Sequence, residues 1–240
     1  MNGYSGTKCV PVSTPLFPTY VVGSLPRDEW GLDILKTRES SLLDHDDADQ
    51  RLDAAVLSAI RMQEQTGLDY VSDGELRRNS YLRVFVDAVD GYELDAIPPG
   101  PFNTGSLPAI VAPIVQKRSM SVDHARYLVA NTKARTITTL PSPYTMGITM
   151  WSEEKSSRAY ATPEEAMNAC AEITNAEIKR LVALNVDMVQ LDEPWLGDLP
   201  NPDYRRARHV PNIYRELDLY VEAINRSVEG VAGISTAVHV

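Results

Sequence analysis

Met188-Val189-Gln190-Leu191-Asp192-Glu193-Pro194 is the stretch on which the fold reading turns. Four residues, three of them apolar, run into two carboxylates and a proline. That run is short for a helix and suits a buried strand. Pro194 offers no N–H to a ladder and turns the chain, so the strand ends in a polar loop there. Neighbouring side chains on a strand point to opposite faces, so only one of Asp192 and Glu193 faces a given side.

The same grammar recurs outward in both directions. Upstream, Arg135–Leu140 stops at Pro141-Ser142-Pro143, Tyr70-Val71-Ser72 leads into Asp73-Gly74-Glu75, and Tyr20-Val21-Val22 runs into Gly23-Ser24. Downstream, residues 234–240 read as a last strand ending at His239. Helical segments lie between. Residues 47–66 place Leu52, Val56, Ala59, Ile60 and Gln63 on one face; residues 80–89 and 121–132 follow. Thr162-Pro163-Glu164-Glu165 is a helix start with Thr as N-cap, Pro at the first position and Glu165 placed to close a capping box. A long helical region at 204–228 is interrupted by Pro211. Residues 1–18 read as an irregular arm. Residues 91–120, with five prolines and no helical period, read as a loop or hairpin excursion from a single domain spanning 19–240.

Strands alternating with helices predict a parallel sheet covered by helices, an α/β fold. An open doubly wound sheet and a closed (β/α)8 TIM barrel compete. No GxGxxG and no GxxxxGK[ST] is present to support a nucleotide-binding sheet. Polar residues gather at the C-terminal ends of the strands, where barrel enzymes build their sites, which favours the barrel, with about five of eight strands present.

Composition narrows the function. The 240 residues carry 23 Lys+Arg against 33 Asp+Glu, a formal charge of −10, which argues against a general binder of nucleic-acid backbone. No apolar run approaches the roughly 18 residues of a membrane span, and residues 1–18 lack a secretory signal's apolar core. Two cysteines, Cys9 and Cys170, make no disulfide scaffold, so a reducing cytoplasm is the default.

The candidate site residues are those at the strand ends. Gly23 and Ser24 could offer backbone N–H groups and a hydroxyl to an anion. Glu75, with Arg77, Arg78 and Asn79 just after it, combines a carboxylate with donors. Asp192 or Glu193 supplies a second carboxylate. His239 could be a metal ligand or a general base. Trp151 and Trp195 could wall a pocket. Each taken singly also reads as ordinary turn or packing chemistry.

Taken together, Val22-Gly23-Ser24-Leu25-Pro26, Gln63–Asp69 leading into Asp73-Gly74-Glu75-Leu76-Arg77-Arg78-Asn79, Pro143-Tyr144-Thr145-Met146, Gln190-Leu191-Asp192-Glu193-Pro194 and Val238-His239 resemble the catalytic C-terminal barrel of the cobalamin-independent methionine synthase family. The resemblance runs from about residue 19 to 240. It implies a cytoplasmic, zinc-dependent methyltransferase that moves a methyl or other alkyl group to a small-molecule thiol such as homocysteine. Carried over, Ser24 with Gly23 holds the acceptor's carboxylate, Glu75 and Asp192 bind its ammonium, Asn79 stands beside them, and His239 is the first zinc ligand. The family's further zinc ligands, two cysteines and a glutamate, would fall beyond Val240, and Arg27 replaces a family Gln. The expectation is therefore a truncated or split barrel, completed by a second chain or by homo-oligomerisation. Its partners are a thiol acceptor and a methyl donor, with no nucleic acid and no membrane. Three alternatives accompany this reading: a transferase acting on a sulfonate-bearing thiol, a porphyrinogen-type decarboxylase using Arg27 with Arg77 or Arg78, and a binding fragment without turnover.

Overall fold

A computed structural model describes residues 15–103 and 105–240; Cys9 and most of the expected N-terminal arm lie outside them. In chain order the elements are α1 (Glu29–Glu39), α2 (His45–Gln65), β1 (Tyr70–Val71), α3 (Arg83–Val86), β2 (Val89–Ile97), β3 (Leu107–Gln116), α4 (Val122–Asn131) and β4 (Arg135–Pro141). A π-helical turn (Thr145–Thr149) follows, then α5 (Glu153–Ser156), α6 (Pro163–Ala183), β5 (Met188–Asp192), α7 (Trp195–Asp198), α8 (Pro202–Ala207), α9 (Ile213–Ser227) and β6 (Ser235–His239).

The main sheet has four strands in the order β1-β4-β5-β6, each pair parallel. Side chains alternate across it. Val189 and Leu191 pack with Cys170, Ile178 and Leu181 of α6 and Leu219 and Ala223 of α9 in the largest apolar cluster. On the opposite face, Tyr70, Ile137 and Met188 form a small cluster with Tyr20 and Ala237. α2 and α4 cover β1 through Val56, Ile60, Val71 and Leu128. Burial of this kind contributes about 1.5–3 kcal/mol for each fully covered Val, Leu or Ile side chain. Gln63 adds a polar clamp: its amide donates to Ser72 O at 2.9 Å and accepts from Ser72 N at 3.0 Å. This ties the end of α2 to the exit of β1.

Several sequence expectations need correction. Residues 20–22 form no strand. The segment runs beside β1, with Thr19 O accepting from Asp69 N and Tyr70 N and with Leu25 N donating to Gly74 O, but no ladder continues between those contacts. The helix expected at 80–89 is only Arg83–Val86, because Val89 already begins β2. In the stretch 91–120, β2 and β3 pair antiparallel. A register shift falls between Asp90 and Tyr92, where Gly91 sits at φ +106 with Ala112 O and Pro113 O each 2.8 Å from where a Cβ would stand. The helical region 204–228 is two helices, α8 and α9, with Asn212 capping the second. Thr162 caps α6 by accepting from Glu165 N, but the Glu165 carboxylate accepts from Ala161 N at 2.8 Å. The box therefore closes one residue before the cap.

Candidate functional site

The loop after β1 makes an abrupt reversal. Gly74 and Glu75 are both left-handed, at φ +66 and +56, and Asp73 Oδ1 accepts from Glu75 N at 2.9 Å. A left-handed non-glycine residue is uncommon and carries strain that its surroundings must offset. Here the offset is a set of charged and hydroxyl contacts on the Glu75 side chain. Ser24 Oγ donates to Glu75 Oε2 at 2.7 Å, and Thr139 Oγ1 of β4 donates to Oε1 at 2.6 Å. The Arg78 guanidinium stands 3.3 Å from Oε1 and donates to the Thr139 hydroxyl (2.6 Å) and carbonyl (3.0 Å). Glu75 and Arg78 are only 4% exposed, so this is a buried pair.

Two strands further along the sheet, Asp192 pairs in register with His239 on one side and Pro141 on the other. Its Oδ1 accepts from Gln190 Nε2 at 2.7 Å, and His239 Nδ1 lies 3.3 Å from the same oxygen. Gln190 and Asp192 are two residues apart on one strand and so share a face. Burial raises the Asp192 pKa; the Gln190 bond opposes this, while the negative charge of Glu75 adds to it. The carboxylates of β1's exit and β5's end thus act on one another. Asp73 is buried, which raises its pKa, but Arg78, His124, the Glu75 N–H and Arg77 together hold it below the ordinary value.

Glu193 turns the other way. Its carboxylate accepts from Thr145 N at 3.2 Å and meets Thr145 Oγ1 at 3.0 and 3.1 Å. Burial pushes its pKa up to about 8, against the hydrogen bonds from Ser142 and Thr145 that lower it. The folded protein therefore binds a proton that the unfolded chain releases from about pH 4.5 upward. Stability from this group is present below that pH and declines until about pH 8, where the folded state also loses the proton. Urea unfolding across pH 5–8 tests the assignment. Glu193→Gln is expected to gain on the parent as pH rises, by up to a few kcal/mol, and a pH-independent difference would contradict it.

Ser24, Glu75, Asp192 and His239 thus lie along one edge of the sheet, and Gly23 precedes Ser24 at φ +74 with open space where a Cβ would point. Asn79 does not join them: its side-chain oxygen accepts from Arg38 at 3.1 Å. Arg77 pairs with Asp53, and Arg27 is absorbed by the carbonyls of Glu75, Leu76 and Arg78. Trp195 stacks with Tyr204. Trp151 borders a cavity of about 540 Å³ together with Tyr144, Tyr204, Arg208 and Glu216. Thr139 and Gln190 were not singled out from the sequence. For Gln190 the signal was a polar residue inside an otherwise apolar strand, on the same face as the strand-end carboxylate; Thr139 lies in a strand that also holds Thr136 and Thr138, where nothing sets it apart.

Among the described residues no group of three or more His, Cys, Asp or Glu side chains is placed to hold a metal ion. Cys170 is buried beside Tyr92 with its thiol pKa pushed up to about 12 by burial, which is unlike a thiolate ligand. The residues described here do not by themselves fit a zinc centre.

A parallel α/β sheet with opposed carboxylates at its C-terminal edge is the class of protein that this geometry defines. Comparison with known proteins gives the family. Residues 17–213 match the family described as "Cobalamin-independent synthase, Catalytic domain", and the chain belongs to it. The methionine synthase of Thermococcus kodakarensis is 30% identical over 224 residues, covering 90% of this chain and 60% of that protein. The methionine synthase of Sulfurisphaera tokodaii is 26% identical over 234 residues, covering 94% and 62%. A solved B12-independent methionine synthase from Shewanella sp. W3-18-1, in complex with selenomethionine, is 25% identical with a TM-score of 0.67, covering 93% of this chain and 61% of that one. A putative vitamin-B12 independent methionine synthase from Listeria monocytogenes shares the fold with a TM-score of 0.71 at 18% identity, covering 93% and 65%. The chain spans about three-fifths of the length of the curated relatives that it matches. No helix among the described residues is long and apolar enough to cross a membrane.

Proposed function

We propose that this chain carries the acceptor-binding part of a methionine synthase-like methyltransferase, acting in the cytoplasm, and that its four parallel strands are staves of a (β/α)8 barrel. The acceptor is an amino-acid thiol such as homocysteine. The observation that carries this reading is that two buried carboxylates, Glu75 and Asp192, stand at one sheet edge, where the charge of Glu75 adds to the burial that raises the Asp192 pKa. A cationic ammonium placed between them would favour the ionised form of Asp192 and gain charge-assisted hydrogen bonds. Arg78 and Thr139 hold Glu75, and Gln190 holds Asp192, so both oxygen sets are oriented before the ligand arrives. Beside the left-handed Gly23, the backbone N–H groups of Gly23 and Ser24 would receive the ligand's carboxylate, while the Ser24 hydroxyl stays on Glu75. The selenomethionine bound to the Shewanella neighbour is an amino acid of the size this arrangement would take.

Zinc comes from the resemblance, and His239 is the one ligand it carries over. With Nδ1 directed at Asp192, the ring leaves Nε2 for a metal, the usual carboxylate–histidine arrangement. The decarboxylase alternative loses support, since Arg27 and Arg77 are engaged by backbone and by Asp53.

Calorimetric titration with L-homocysteine and L-methionine tests the reading. Asp192→Asn is expected to weaken binding by about 1.5–3 kcal/mol, the worth of a hydrogen bond to a charged group. Since burial raises the Asp192 pKa, parent affinity should fall with acidification at a higher pH than an ordinary aspartate would dictate. Unchanged affinity in the variant would remove Asp192 from the site.

A further inference from the structure

Behind the loop that carries Glu75, the chain gathers five arginines, Arg38, Arg77, Arg78, Arg83 and Arg118, around a small cleft that His45 and His124 also line. Such a concentration is unexpected in a protein of net charge −10. It draws on the end of α1, the start of α2, the loop after β1, α3, and the turn after β3. Four of the arginines have carboxylate partners: Arg38 with Asp49, Arg77 with Asp53, Arg78 with Glu75, and Arg83 with Asp87 and Glu39. Asp87 is the one carboxylate that lines the cleft, and Arg83 already holds it. Arg118 has no carboxylate within ion-pair distance among the described residues. Its contacts are the Asp87 backbone carbonyl at 3.2 Å and His45 Nδ1 at 3.4 Å.

The unsatisfied donors are the second observation. Arg77 and Arg78 are 2% and 4% exposed, and each keeps one buried nitrogen, Nη1 and Nε respectively, without a hydrogen-bond partner. Buried donors are ordinarily satisfied, and an orphaned guanidinium nitrogen is costly. Guanidinium groups from several elements line this cleft, and their planar, forked donors are of the kind that binds a tetrahedral oxyanion.

We infer that this cleft binds a small tetrahedral oxyanion, of which inorganic phosphate and sulfate are the simplest members, with Arg118 as its least encumbered ligand. The site is distinct from the Ser24–Glu75–Asp192 edge and does not depend on the function proposed for it. Arg78 lines the cleft and also contacts Glu75, so an oxyanion here would act on the same arginine that orients Glu75. His45 reports on occupancy. Burial lowers its pKa first, with Arg118 and Arg38 adding to this and Asp87 and Asp49 opposing. A bound dianion therefore raises it.

The test is an NMR titration of the four histidine imidazoles with inorganic phosphate at constant ionic strength, balanced by sodium chloride. Saturable shifts centred on His45, a rise in its pKa, and displacement by sulfate are expected. Arg118→Gln, at an exposed position, should leave the fold intact and weaken phosphate binding about ten-fold or more, the loss of one charge-assisted hydrogen bond. Arg83→Gln is the second variant, expected to weaken binding in the same direction. Equal response to chloride alone, or unchanged phosphate affinity in both folded variants, would overturn the assignment.

Discussion

Replacing Gly147 with alanine is expected to destabilise the protein by about 3 kcal/mol or more, at the upper end of what overpacking costs. Gly147 lies in the π-helical turn after β4, and its backbone rests directly on α6. A Cβ there would stand 2.2 Å from Met167 Cα and 2.4 Å from Met167 N, with Ala166 C at 2.9 Å. These are backbone atoms of a 21-residue helix, so no side chain can swing away and the turn itself must move. The turn positions Thr145 against Glu193 and offers Met146 O to the Tyr92 hydroxyl at 2.8 Å. Its displacement would disturb both the hairpin contact and the edge of the site. Urea unfolding followed by circular dichroism measures the loss. A midpoint equal to that of the parent would mean that the turn does not rest on the α6 backbone.

The second large effect concerns the buried pair. Glu75→Ala should cost about 3–5 kcal/mol, because it leaves the Arg78 charge buried without its carboxylate. The Thr139 and Ser24 hydroxyls lose their acceptor at the same time. Removing both charges, as Glu75→Ala with Arg78→Met, should recover part of the loss, since the uncompensated charge then disappears. Denaturant unfolding of the two single variants and the double variant gives the coupling directly. Strict additivity would show that Arg78 is neutralised from elsewhere, Asp73 being the nearest alternative by its electrostatic effect.

What the sequence disclosed and what it concealed follow a physical line. β5 was legible because a short apolar run stops at Asp192-Glu193-Pro194, β4 because a Thr- and Ile-rich run stops at Pro141, and α6 because Thr162 and Pro163 mark its start. α1 escaped notice because Trp30, Leu32 and Ile34 alternate as in a strand, whereas only Ile34 and Leu35 among its large apolar residues are buried, against Ala48 and Leu52 of α2. Val21-Val22 has strand propensity, yet Val22 is 49% exposed and nothing forces a ladder there. At the site, Ser24, Glu75, Asp192 and His239 could be marked because each ends a run. The contacts that orient them could not be, since Arg78 meets Thr139 across 61 residues of chain. Asn79 shows the limit of adjacency: four residues after Glu75, its side chain is engaged by Arg38 of α1.

The central claim is that one sheet edge receives an α-amino acid between two carboxylates. A crystal structure of the chain soaked with L-methionine tests it most directly. The account predicts the ammonium between Glu75 and Asp192 and the carboxylate at Gly23-Ser24, with the sulfur directed toward His239. Methionine bound elsewhere, or with its ammonium facing Arg78, would contradict it.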